Sequence, residues 1–251
     1  MFETLPGVIM TMDPWILAGL LVASLFTSLM SALAGFGGGV LLLVIMAAFI
    51  NPVSLIPVQG LIQMGSNCSR IYAYRAYLSF DFVKKFLIGA IPGVILATLV
   101  VSALPPETLL VSISLFVLVT AWMPARLPIG NSRVQVIVIG TIVTFLSMFV
   151  GSTGPLLAPV FKSLGYTKQS FVSTMAVCLF CQNILKALAF GTIGFDLLYW
   201  LPFIILMATT GFFGTLLGAL LHGKLNEAHF SLLVKWVMTL LAINILWKTL
   251  L

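Results

Sequence analysis

Read as a string of apolar and polar positions, the chain is a series of long apolar runs parted by short polar connections. About 20 apolar residues span the roughly 30 Å hydrocarbon core of a bilayer. That measure predicts helical segments near 15–34, 40–50, 55–72, 86–103, 108–123, 134–150, 156–163, 169–190, 197–221 and 230–247. The second and seventh are too short to cross. Taken as one straight helix, the run 15–50 would be roughly 54 Å long at about 1.5 Å per residue, which overshoots the core. It contains Gly35, Gly37, Gly38 and Gly39, which break a helix because glycine gives up the most backbone freedom on ordering. A helix followed by a re-entrant half-helix, folded at the glycines, fits better. A second break, Gly151-Ser152-Thr153-Gly154-Pro155, precedes the other short segment. A break in lipid strips backbone groups of their partners and is tolerated only where it is buried in protein or lines a polar cavity. Each break therefore points to a binding site, and the two read as facing halves of one.

The pattern repeats. Shifting the chain by 116 positions places Ser31 on Ser147, Gly35 on Gly151, Gly38 on Gly154, Asn67 on Asn183 and Arg70 on Lys186. The expected organisation is an N-terminal extension 1–14, a first transmembrane repeat 15–123, a cytoplasmic linker 124–133 and a second repeat 134–251. Charge sets the orientation, since loops rich in Lys and Arg stay inside. Connection 70–85 holds Arg70, Arg75, Lys84 and Lys85, and Arg126 and Arg133 hold the linker inside. Both termini then fall on the extracytoplasmic side. Three corresponding connections exchange basic for base-free character, so the halves read as inverted repeats. The predicted fold is thus an all-α polytopic membrane protein of two inverted repeats. Each has a broken, re-entrant first helix hairpin plus three transmembrane helices, giving about 8 full spans from 10 helical segments.

Composition agrees: 61% of residues are hydrophobic and 7% charged, against about 25% charged in a soluble domain. The net charge of +6 comes from Lys and Arg scattered at helix ends, so no nucleic-acid partner is expected. Cys178 and Cys181 have redox spacing but lie in an apolar helix, where packing is the ordinary role. His222 and His229 read as solvated turn residues. No metal site, cofactor site or catalytic motif is visible, so no enzyme is expected.

Polar positions inside the helices carry the chemistry. Gln59, Gln63, Ser66, Asn67 and Arg70 lie along one stripe, as do Ser170, Thr174, Cys178, Gln182, Asn183 and Lys186 in the second half. Interhelical glue is the plain reading of any one amide; the matched pair Asn67 and Asn183 beside matched breaks points to solute binding. Arg70 and Lys186 sit near helix ends, where snorkelling is the ordinary reading and an electropositive lining the alternative. Asp81 and Asp196 fall at loop-to-helix junctions and read as caps. No embedded carboxylate is evident, which favours an anionic or neutral solute. Helix N-termini at Gly38 and Pro155 offer unpaired N–H groups to an oxyanion.

Ala34-Gly35-Phe36-Gly37-Gly38-Gly39, with Gly151-Ser152-Thr153-Gly154-Pro155-Leu156-Leu157-Ala158-Pro159 in the second half, resembles the TauE/SafE sulfite exporter family. The resemblance implies a duplicated inner-membrane transporter of sulfite or small organosulfonates, working outward. The expected solute-binding residues are Gly35, Gly37, Gly38, Gly39, Gln63, Asn67, Gly151, Ser152, Thr153, Gly154, Asn183 and Lys186. Expected partners are a small anion and the lipid bilayer, with a homodimer left open. A passive anion or small-solute channel and a non-transporting assembly subunit stand as alternatives.

Overall fold

The computed structural model describes residues 8–34, 37–123, 130, 132–220 and 227–250, and among them the only regular structure is helical. A single turn, α1 (Val8–Thr11), leads into α2 (Pro14–Ala34) and α3 (Gly38–Met46), then α4 (Pro52–Tyr74), α5 (Phe80–Val101) and α6 (Pro106–Ala121). The second half gives α7 (Arg133–Val150), α8 (Gly154–Ser163), α9 (Lys168–Thr192), α10 (Leu197–Leu220) and α11 (Glu227–Leu250). Each of the ten predicted segments is a helix. Five of them, over Pro14–Ala32 in α2 and all of α5, α7, α9 and α10, are long and apolar enough to cross a membrane. Against eight expected crossings, α4 has 23 residues but carries the polar stripe, and α6 is apolar but only 16 residues long. At 9 and 10 residues, α3 and α8 are too short to cross, as their segments predicted.

The start signals are local. The Asn51 side chain accepts from the Val53 N–H ahead of Pro52, and Ser132 and Gln135 form a capping box on α7. Asp196 accepts from the Tyr199 N–H at the start of α10, as expected of a cap. Asp81 instead lies in the first turn of α5 and pairs with Lys85 one turn on. Positions 124–129 and 131 of the expected linker, and His222, lie outside the described residues.

Packing exchanges elements between the halves. α5 lies along α7 and α10 along α2, while α4 packs on α9 and α6 on α11. Glycines make the close approaches: a Cβ at Gly89 would strike the Ile137 carbonyl, one at Gly140 the Phe86 carbonyl, and one at Gly214 the Leu25 carbonyl. The two ends of α4 meet opposite ends of α9. Ser69 and Arg70 share a cavity with Lys168 and Gln169, whereas Val53 and Ser54 share one with Phe190 and Ile193, so the two helices run antiparallel.

The short helices are apolar on most faces and therefore sit inside. α3 is buried in one core with Ile56, Ile113 and Ala242. α8 is buried in a second with Phe82, Phe86 and Phe171, where the Phe82 and Phe161 rings lie 4.6 Å apart. α3 doubles back along α2, whereas α8 packs on α9 more than on α7. The first break is therefore a closed hairpin and the second a more open turn.

Candidate functional site

The first break ends at Gly37, whose φ of 96° belongs to the left-handed side that glycine alone adopts freely; Gly151 opens the second with φ 76°. Each break feeds directly into a helix N-terminus, at Gly38 and at Gly154. Amides in a first turn have no partner within their own helix, and Pro155 has none to lose.

The tips touch. A Cβ on Gly39 would stand 3.0 Å from Ser152 Oγ and would overlap the Gln63 amide. Beside this contact lies a polar cavity of about 10 Å³, lined by Gln59, Gln63, Asn67, Gly151–Thr153, Leu179, Gln182 and Asn183. That is about the room one water needs. Six of the twelve predicted site residues line it, namely Gln63, Asn67, Gly151, Ser152, Thr153 and Asn183, while Gly39 touches Gln63 and Ser152 of that lining and Lys186 bonds the Gly151 carbonyl. Gly38 does not join them, because it faces α2, where a Cβ would collide with the Thr27 carbonyl and Ser31. Gly37 has open space beside it and Gly154 meets only Leu179 at 3.8 Å. Gly35 lies outside the described residues.

Neither inner cation snorkels. Lys186 is 0% exposed and Arg70 4% exposed, since each is drawn inward by polar groups at its own half's break. Lys186 Nζ donates to the Gly151 carbonyl at 2.5 Å, beside Asn183 and in space that Gly60 leaves open. Arg70 donates to Ser31 and Ser66 hydroxyls, each at 3.3 Å. These bonds go to neutral oxygens and to no carboxylate. A buried cation without a counter-charge is costly unless something negative compensates it.

The amides divide into glue and unfilled capacity. Gln59 Nε2 donates to the Gly39 carbonyl at 2.9 Å, fixing the first tip. Gln182 fixes the second: Thr153 Oγ1 donates to its Oε1 at 3.0 Å while its Nε2 donates to Thr144 at 3.2 Å. Asn67 Oδ1 and Gln59 Oε1, by contrast, are buried without a hydrogen-bond partner. Such atoms cost about 1–3 kcal/mol each; both are acceptors, so what completes them is a hydrogen-bond donor, and the cavity has room for one water. In the sequence Gln59 and Gln182 stand out only as members of polar stripes, and their helical spacing on α4 and α9 is the signal for them. Gly60 gave no comparable signal. Cys178 is buried and Cys181 half-buried, both free thiols. No group of metal-ligating side chains occurs among the described residues.

The family model described as "Sulfite exporter TauE/SafE" matches residues 20–245. No curated protein and no solved structure matches the chain.

Proposed function

Since the chain belongs to the TauE/SafE sulfite exporter family, we propose that it is a secondary transporter moving sulfite or a small organosulfonate outward across the inner membrane. The guest sits where the two breaks meet. Gly39, Ser152 and Thr153 line it, Asn67 and Asn183 orient it, and Lys186 supplies the positive field. One observation carries this reading: a fully buried lysine, without a carboxylate, bonded to the unwound backbone at a polar chamber. A cation fixed there favours a negative guest and repels a positive one.

Two inverted repeats, 15–123 and 134–251, rock about the guest and expose it to one side at a time. The antiparallel run of the corresponding helices α4 and α9 supports the inversion. So does the exchange of partners in which α5 takes α7 as α10 takes α2. In this arrangement both termini are extracytoplasmic.

Counterflow in proteoliposomes tests the reading. Vesicles loaded with unlabelled sulfite are expected to accumulate labelled sulfite transiently, and external sulfoacetate to compete. A channel gives no such overshoot, and an assembly subunit gives no flux.

A further inference from the structure

A larger cavity lies beyond the chamber, toward the basic connection. It measures about 80 Å³ and is bounded by Ser69, Arg70, Ala73 and Tyr74 of α4, the first turn of α9 at Lys168 and Gln169, and Thr215 of α10. One water needs about 10–15 Å³, so a small oxyanion fits. Arg70 is 4% exposed, and its Nε is buried without a hydrogen-bond partner although its terminal nitrogen is held by Ser31 and Ser66. Lys168 stands at the rim, and the N-terminus of the 25-residue α9 adds partial positive charge. Among the described residues, no carboxylate lines this cavity.

The cavity is joined to the chamber by hydrogen bonds. Ser66 Oγ accepts from Arg70, and its one proton is shared between the Gln63 backbone carbonyl at 3.2 Å and Gln63 Oε1 at 3.3 Å; Gln63 lines the chamber. At the opposite end of α4 the corresponding cavity, about 340 Å³, has Phe190 and Val53 where this one has Tyr74 and Gln169. It is lined by Asp196 and, among the described residues, by no base. The two mouths therefore differ in electrostatic sign.

Building on the transport reading above, we propose that the Arg70 cavity is a second anion site, a loading site for small sulfur oxyanions on the side of the basic connection. Arg70 holds the anion there before Ser66 and Gln63 admit it to the chamber. The acidic, aromatic mouth at the other end favours release.

The test uses Ala73→Cys in a chain whose Cys68, Cys178 and Cys181 are alanine, assayed in the purified full-length protein. With each rate divided by that reagent's rate on a free thiol in solution, anionic sulfonatoethyl methanethiosulfonate is expected to modify this cysteine about five-fold or more faster than the cationic trimethylammonioethyl reagent. Sulfoacetate should slow that reaction. Both effects should vanish on adding Arg70→Gln and persist with Arg70→Lys, which keeps the charge and controls for folding. Equal normalised rates for both reagents and no protection by sulfoacetate would overturn the loading site, even in protein that carries out counterflow. Protection without counterflow would uphold the loading site and sink the transport reading instead.

Discussion

A methyl group at position 60 would stand 2.6 Å from Lys186 Cε and 3.0 Å from Nζ, so Gly60→Ala must push the ammonium aside. The obstacle is the far end of a flexible side chain, and the fold should survive. The expected result is a raised KM for sulfite with near-normal abundance; an unchanged KM would remove Lys186 from the site. Replacing the lysine itself separates binding from folding more sharply. Lys186→Met deletes a buried charge that has no counter-ion, and removing such a charge is neutral or stabilising. Thermal melting of the variant should equal or exceed wild type while sulfite counterflow is lost. A lower Tm with counterflow intact would assign the lysine to structure alone. These roles were only partly legible in the chain. The intervals of Gln63, Asn67 and Asn183 put them on the correct faces, because helical periodicity decides that directly. Arg70 and Lys186 looked like snorkelling anchors because they lie near helix ends. Their inward course depends on Ser31 and on the Gly151 carbonyl, which only the folded chain brings beside them.

Among the elements, the breaks were the most readable feature, since clustered glycine interrupts a helix wherever it occurs. Which glycine faces the chamber was not readable. Gly38 and Gly39 differ by one helical step, and the choice between them is made by α2, whose Thr27 carbonyl receives Gly38. The glycines that let α10 close on α2, and α5 on α7, gave no earlier signal either, because their partners are far apart in the chain. Gly214→Leu would drive a side chain into the backbone carbonyl of Leu25, and overpacking of this kind costs about 1–3 kcal/mol or more. A lower melting temperature and lower membrane abundance are expected, whereas Gly19→Ala, with nothing within 4 Å, should change neither. Equal behaviour of the two variants would mean that α2 and α10 are not in close contact.

For the whole molecule, the repeat is legible because the 116-residue offset places 31–70 on 147–186 without a gap. It reappears in the starts of α3 and α8 and of α4 and α9. The proposed crossing of the membrane by α4 has a direct consequence for topology, since α4 carries one cavity at each end. In intact cells lacking the native cysteines, an impermeant thiol reagent should label Val53→Cys from outside, and Ala73→Cys only after the cytoplasmic face is opened. Labelling of both from one face would contradict a crossing by α4. The most direct measurement concerns the junction of the two breaks. Selenite, the heavier analogue of sulfite, can be soaked into crystals of the protein with Cys68, Cys178 and Cys181 replaced by alanine, which removes the thiols that selenite oxidises. An anomalous selenium peak is predicted within hydrogen-bonding reach of Ser152, Asn183 and Lys186. Protein that transports sulfite, yet shows no selenium at that junction, would contradict it.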